Sequence, residues 1–525
     1  MKKIFIILIF ILLSFVTGCG TTHPVITNIP KEVDEINKVI ADVEYKDLEI
    51  SDYDILNETI EKYNALSSEY KEYIVNFDII VNSFNEVKEL IEEEKITINL
   101  INELNNKLLE NIPSSTISNI TLPSIATIND EEINLNWTSS DPYTIYTNGQ
   151  VINGRSDCKV TLKCSYTYKD KKEVITKDVI VKPITFNKLT GNNVFTYMYS
   201  SSFSGTYTES DLKTIDVVNL CFADIIDGEV DILSIGNIRD ILSLRRDSKI
   251  RVCICITGYG SETKAFSDAA STSEGRVKLA KSIVDAIEKY HFDGIDIDWE
   301  YPGSYRSVSV DRANHALFMQ TLYKYVKEAN EDYIVSGALP GTLSSNGLIK
   351  RYDIQTLSCC MDYIHLMTYD MNSSSVTSHH TSYVDSVTSV KTYIDSGAKS
   401  EQLTIGVAYY GKQFRIKGNN VLGASCSNKQ TISYDQISSY LNANNNERFI
   451  TYWDDSKCAP YMEIKYYDTN GNYLYHDFIT YDSTKSVDLK ANYAKSYNLA
   501  GIMCWEYGEN KGGELQKVIY NVLKK

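Results

Sequence analysis

Eight short runs between residues 194 and 508 limit what this chain can fold into more than any other feature. They read VFTYMYS (194–200), VVNLCFADI (217–225), IRVCICITG (250–258), GIDIDWE (294–300), YIVSGALPG (333–341), YIHLMTYD (363–370), LTIGVAYYG (403–411) and GIMCWEYG (501–508). Each is rich in β-branched or aromatic residues and short for a helix, so each reads as a strand. Amphipathic stretches separate several of them. Val277, Ala280, Val284 and Ile287 form one apolar stripe; Leu515, Val518, Ile519, Val522 and Leu523 form another. Strand–helix repetition from 190 to 525 predicts an α/β fold, a (β/α)8 TIM barrel. The gap between the last two runs is too long for one helix. Residues from about 414 to 482 hold strand-like pieces of their own, so a small α+β insertion domain is expected there.

The chain ahead of the barrel changes character twice. Residues 20–112 read as a linker and a helical module, in which Leu56, Ile60, Tyr63, Leu66 and Tyr70 recur three and four apart. Residues 113–185 are short alternating segments divided by Asn, Asp, Gly and Ser. Trp137-Thr138-Ser139-Ser140-Asp141, followed by Gly149 and Val151, resembles a bacterial immunoglobulin-like domain, an all-β sandwich read as a spacer. At the start, two lysines precede the apolar run Ile4–Val16, short for a membrane span and suited to a signal-peptide core. Val16-Thr17-Gly18-Cys19 resembles the lipobox of bacterial lipoproteins. The expectation is a leader over 1–19, lipidation of Cys19, and a protein held by a lipid anchor at the bacterial cell surface, outside the cytoplasm.

A net charge of −17 argues against a nucleic-acid partner, which needs clustered Lys and Arg. A neutral polymer or small ligand is easier to accommodate, and a monomer is expected. Of eleven cysteines, ten follow Cys19. Cys221, Cys253, Cys255 and the pair Cys359-Cys360 sit in or beside apolar runs and read as core side chains. No spacing suggests a zinc site, and no metal or cofactor is expected. Cys158–Cys164 and Cys426–Cys458 are candidates for bridges in an exported protein.

The fourth run carries the chemistry. In DGIDIDWEYPG (293–303), Asp296, Asp298 and Glu300 recur at every second residue, with Ile295, Ile297 and Trp299 between them. On a helix the acids would scatter; on a strand they share one face, about 6.6–7 Å apart at Cα. In barrels of this kind reaction sites lie at the carboxyl ends of the strands, so Glu300 stands at the rim and Asp298 and Asp296 lie progressively deeper. Like charges so close cannot all ionise, so at least one pKa rises. A calcium site is the rival use of such acids, but the isoleucines between them and the missing EF-hand glycine argue against it.

Asp293-Gly294-Ile295-Asp296-Ile297-Asp298-Trp299-Glu300 resembles the DGxDxDxE signature of glycoside hydrolase family 18, the chitinase family. Tyr301-Pro302-Gly303, Met367-Thr368-Tyr369-Asp370, Tyr410-Gly411, Trp505 and FITYDSTKSV (478–487) resemble further marks of that family, in order. The resemblance covers roughly 190–525. It implies a substrate-assisted glycosidase, in which the sugar's own acetamido group is the nucleophile and retention follows. Glu300 would be the acid, Asp298 would orient the acetamido group, Asp296 would hold Asp298, and Tyr369 would donate its hydroxyl to the acetamido oxygen. Trp505 would floor the sugar, with Tyr301, Met367, Thr368 and Asp370 around it. Tyr197, Tyr410 and the third-strand residues Thr257, Gly258, Tyr259 and Gly260 complete the implied substrate-binding set.

Two departures stand out. The family's third-strand SxGG pattern reads Cys255-Ile256-Thr257-Gly258 here, so a thiol replaces a hydroxyl donor toward Asp296. After Asp370 the chain continues MNSSS, without the usual glycine and tryptophan. The leading expectation is a chitinase cutting β-1,4 linkages between N-acetylglucosamine units. An endo-β-N-acetylglucosaminidase acting on glycoprotein glycans or peptidoglycan is the second reading. A chitin-binding lectin is the third, disfavoured by the intact acids.

Overall fold

The computed structural model describes residues 29–203, 212–443 and 447–525. The expected leader and Cys19 lie outside the described residues. The chain divides into two compact units: one runs to Leu108 and takes in Thr127–Glu132, and the other holds the remainder. In the first, helices span Lys31–Val43, Tyr53–Ala65, Ser68–Lys71 and Asp78–Glu110. Val33, Ile36, Ile40 and Val43 share one face at three- and four-residue spacing and join Leu56, Ile80 and Val87 in an apolar core. Among the described residues no helix is long and apolar enough to cross a membrane.

The second unit begins with a four-stranded sheet whose long hairpin pairs Cys158–Tyr168 with Lys171–Val181. Val160, Leu162, Cys164, Tyr166 and Tyr168 are buried at alternate positions, as a half-covered strand requires. Cys158 and Cys164 therefore sit on one strand about 20 Å apart, too far to bridge. All ten described cysteines are free, Cys426 and Cys458 included, so neither candidate bridge forms.

Eight parallel strands follow, β1 (Asn193–Tyr199), β2 (Val217–Ile226), β3 (Arg251–Thr257), β4 (Gly294–Asp298), β5 (Ile334–Pro340), β6 (Tyr363–Met367), β7 (Leu403–Ala408) and β8 (Gly501–Trp505). They pair in sequence order, and β8 closes onto β1. This is the (β/α)8 barrel the eight runs predict. Almost every strand residue is buried, because one face fills the barrel and the other packs on helices. On β4 the outward set is Ile295, Ile297 and Trp299, which join the apolar layer that includes Leu279, Ile283, Phe318 and Met319. Trp299 stacks on Phe266 at 5.2 Å. Gly294 begins this strand for a steric reason: a Cβ there would lie 2.3 Å from the Ile334 carbonyl oxygen. Gly294→Ala should lower stability by about 1–3 kcal/mol, read as a lower denaturant midpoint.

At the base of β4 a buried ion network ties the barrel to the preceding sheet domain. Asp293 is fully buried and accepts from Arg155 Nε at 3.0 Å, Arg245 Nη1 at 2.9 Å and the Val252 amide at 2.9 Å. Arg245 also donates to the carbonyls of Asn153 and His291. Thr144 reaches the His291 ring at 2.7 Å, and Arg155 and Arg251 lie over Phe186 at 4.2 and 4.9 Å.

The insertion is an antiparallel five-stranded sheet, Tyr410–Ile416, Cys426–Ser433, Phe449–Asp454, Ala459–Tyr467 and Tyr473–Thr480, with one helix, Tyr434–Leu441. It starts at Tyr410 rather than 414. The seventh run therefore splits: β7 ends at Ala408, and Tyr410 already pairs with Ser433. Asp482, just past the exit, accepts from the Ala408 amide at 3.3 Å and from Lys490 at 2.7 Å. Thr381 lies between them, bonded to both side chains, and Asp482 and Lys490 are fully buried.

Candidate active site

The inner face of β4 presents Asp296 and then Asp298. Regular pairing ends there, with Asp298 opposite Thr257. Glu300 lies two residues past the strand rather than within it. Its amide donates to the Gly258 carbonyl at 3.1 Å, and the Gly258 amide donates to the Asp298 carbonyl at 2.7 Å. A Cβ at Gly258 would come 2.9 Å from the Trp299 Cα, so a side chain would break this close approach. Thr263 Oγ1 caps both carbonyls, at 2.6 Å to Gly258 and 3.1 Å to Glu300. Gly258 thus serves through its backbone.

The acids differ in surroundings. Asp296 accepts from Tyr197 OH at 2.8 Å, Ser336 Oγ at 2.6 Å and Cys255 Sγ at 3.3 Å. Burial raises its carboxyl to about 6 against those three donors. Asp298 has a buried Oδ1 with no partner among the described residues. Burial lifts it well above the usual carboxylate range, and the charges of Glu300 and Asp296 lift it further. Glu300 is also raised by burial, against a hydrogen bond from Tyr301 and with repulsion from Asp370 adding to the rise. Burial opposes ionisation of Asp370 too, but His380 and Lys412 outweigh it and hold that carboxyl below its usual range. His380 Nδ1 and Lys412 Nζ lie 3.5 and 3.1 Å from Asp370 Oδ1. The site therefore sets two carboxyls biased toward the proton, Asp298 and Glu300, beside one biased toward its anion, Asp370.

Above the acids opens a cavity of about 890 Å³. Of the sequence-derived residues, Asp298, Glu300, Tyr301, Thr257, Tyr259, Met367, Tyr369, Asp370, Tyr410 and Trp505 line it. Tyr369 OH rests on Met503 Sδ at 3.6 Å. Trp505 stacks against Phe222 at 5.7 Å and meets Tyr199 edge-on at 5.9 Å. Asp296 and Tyr197 lie beneath the cavity rather than in its wall. Thr368 does not face it: the side chain is buried outward and donates to the Gly406 carbonyl at 2.9 Å. Gly258 and Gly260 are likewise absent from the lining.

Sequence reading missed Tyr199 and Phe222, which close the Trp505 side, and Leu343, Leu348, Met371 and Asn372 on other walls. Tyr199 was findable as the outer end of the first run; the β5 loop carries no such signal. Ser336 and His365, on the interior of β5 and β6, were also missed. Among the described residues no group of three or more His, Cys, Asp or Glu is arranged to hold a metal ion.

Several known proteins are similar to this chain. The chain is 27% identical to chitinase A1 of Niallia circulans over 330 residues, 55% of this chain and 44% of that protein. It is 28% identical to probable chitinase 2 of Drosophila melanogaster over 297 residues, 51% of this chain and 58% of that protein. The chain thus spans about half the length of either relative. A family 18 N-acetylglucosaminidase from Paenibacillus barengoltzii superimposes with a TM-score of 0.56 at 26% identity, covering 63% of this chain and 99% of that one. The profile described as Glycosyl hydrolases family 18 matches residues 193–510, which take in all eight barrel strands, the insertion and the three graded acids. By that match over more than half its length, carried on this barrel, the chain belongs to glycosyl hydrolase family 18.

Proposed function

We propose that this protein is a chitinase-like hydrolase that cleaves β-1,4 linkages between N-acetylglucosamine units with retention of configuration. The observation that carries the reading is the gradient along and just past β4, where Glu300 and Asp298, both raised by burial, face the cavity and Asp296 lies beneath it. Glu300 donates its proton to the glycosidic oxygen as the C1–O bond breaks. The acetamido carbonyl oxygen of the same sugar bonds to C1 and gives an oxazolinium ion. Asp298 orients that acetamido group and, with Asp296, offsets its positive charge. Tyr369 hydrogen-bonds the acetamido oxygen, and Trp505 supports the ring. Water then attacks C1, returns the acetamido group and passes a proton to the Glu300 carboxylate.

Related parts of the reading rest on sequence. Lipidation of Cys19 would hold the protein outside a bacterial membrane, and the helical and immunoglobulin-like stretches would serve as spacers. Asp298, Glu300 and Tyr369 together at the cavity support an enzyme over a lectin.

Protein beginning at residue 20 should release N-acetylglucosamine oligosaccharides from chitin oligomers, followed by mass spectrometry. Oligomers of the same length without N-acetyl groups should remain intact. Equal cleavage of both would overturn the mechanism. Cleavage of N-glycans or peptidoglycan with chitin oligomers untouched would replace this reading with an endo-β-N-acetylglucosaminidase.

A further inference from the structure

Asp296 is flanked at one level by both neighbouring strands. The parallel register sets Cys255 of β3 opposite it on one side and Ser336 of β5 on the other. Its two oxygens are served unequally. Oδ2 accepts from Tyr197 OH at 2.8 Å and from the Cys255 thiol, a weak donor, at 3.3 Å. Oδ1 takes its hydrogen bond from Ser336, at 2.6 Å, the shortest of the three. His365 Nε2 lies 3.7 Å from Oδ1, outside hydrogen-bond range.

We infer that Ser336 is the positioning residue that keeps the innermost acid ionised, a duty that falls to the fifth strand because the third carries a thiol at Cys255. Its effect on turnover rests on the function proposed above. A carboxylate accepting hydrogen bonds favours its anionic form, and in a water-free interior an orphaned oxygen favours the proton. Without Ser336, Oδ1 would have no donor and Asp296 would take up a proton. The buried negative charge that offsets the oxazolinium ion would then be lost, and the proton of the acid series would be drawn away from Asp298.

Other titratable groups face Asp296, and none replaces this donor. They are Tyr197 of β1, Cys221 of β2, Cys253 and Cys255 of β3, Asp298 of β4 and His365 of β6. Burial lowers His365 to about 3, so it brings no positive charge at neutral pH. Its other ring nitrogen is engaged by Thr404 at 3.0 Å. Glu300 and Tyr369 lie farther out along the same face.

Two measurements on the whole protein test the assignment. Infrared spectroscopy, with Asp296→Asn to identify the band, follows protonation of Asp296 directly; the pH profile of kcat/KM follows its consequence. Activity needs the anion, so it is lost as pH falls through the Asp296 pKa. Raising that pKa moves the acid limb upward. Ser336→Ala should shift both the titration and the acid limb up by about one pH unit. Ser336→Thr, which keeps the hydroxyl, should hold them near the parent values. Cys255→Ser should move them down alone and restore them when combined with Ser336→Ala. A titration unmoved by Ser336→Ala, or a Cys255→Ser change that restores nothing in the pair, overturns the inference. Should Ser336→Ala fail to fold, Cys255→Ser alone decides by the direction of its shift. Absence of turnover in the parent would sink the proposed function, yet the infrared titration would still decide the role of Ser336.

Discussion

Glu300→Gln should lower kcat by about 10²–10⁴-fold while leaving binding of N-acetylglucosamine oligomers near the parent value. The substitution keeps shape and hydrogen-bonding atoms but removes the proton that the leaving oxygen must receive. Because Glu300 lines the cavity and its neighbours hold one another, nothing else in the wall needs to move. The pH profile of the parent carries the same signature. Activity needs the protonated acid, so the raised Glu300 pKa sets a basic limb, lost as pH climbs through it. The Asp296 carboxyl, at about 6, sets the acid limb with opposite sign. A Gln variant that turns over as fast as the parent would remove Glu300 from the chemistry.

The second large effect lies far from the cavity. Arg245→Met should lower stability by about 3 kcal/mol, seen as a lower denaturant midpoint of the barrel. Removing one partner leaves the buried Asp293 carboxylate short of a charge, and two carbonyls, of Asn153 and His291, lose their donor. Arg155 remains on Oδ1, which keeps the loss at the low end of the range for broken buried pairs. If the midpoint does not move, the network is not what joins the sheet domain to β4.

What could be read from residues alone follows from periodicity. The eight barrel strands are legible because buried parallel strands are short continuous apolar runs. The face of the β4 acids is legible because alternate isoleucines mark the other face. Alternation also explains a misplacement. Met367 and Tyr369 point into the cavity, so Thr368 between them must point away, and grouping all three by motif overlooked that parity. Of the donors to Asp296, Cys255 was reached through the family's third-strand pattern, whereas Tyr197 and Ser336 were not legible as donors, because they meet the acid only through the register of separate strands. Separation along one strand would have excluded Cys158–Cys164. The loop residues Leu343, Leu348, Met371 and Asn372 have no periodic signal, and their place in the wall depends on loop paths.

Where the inserted sheet leaves and rejoins the barrel, a single buried carboxylate, Asp482, holds the outgoing and returning chain together, with Lys490 locked beneath it. That contact fastens the root of the inserted sheet to the end of β7, two residues from Tyr410 in the cavity wall.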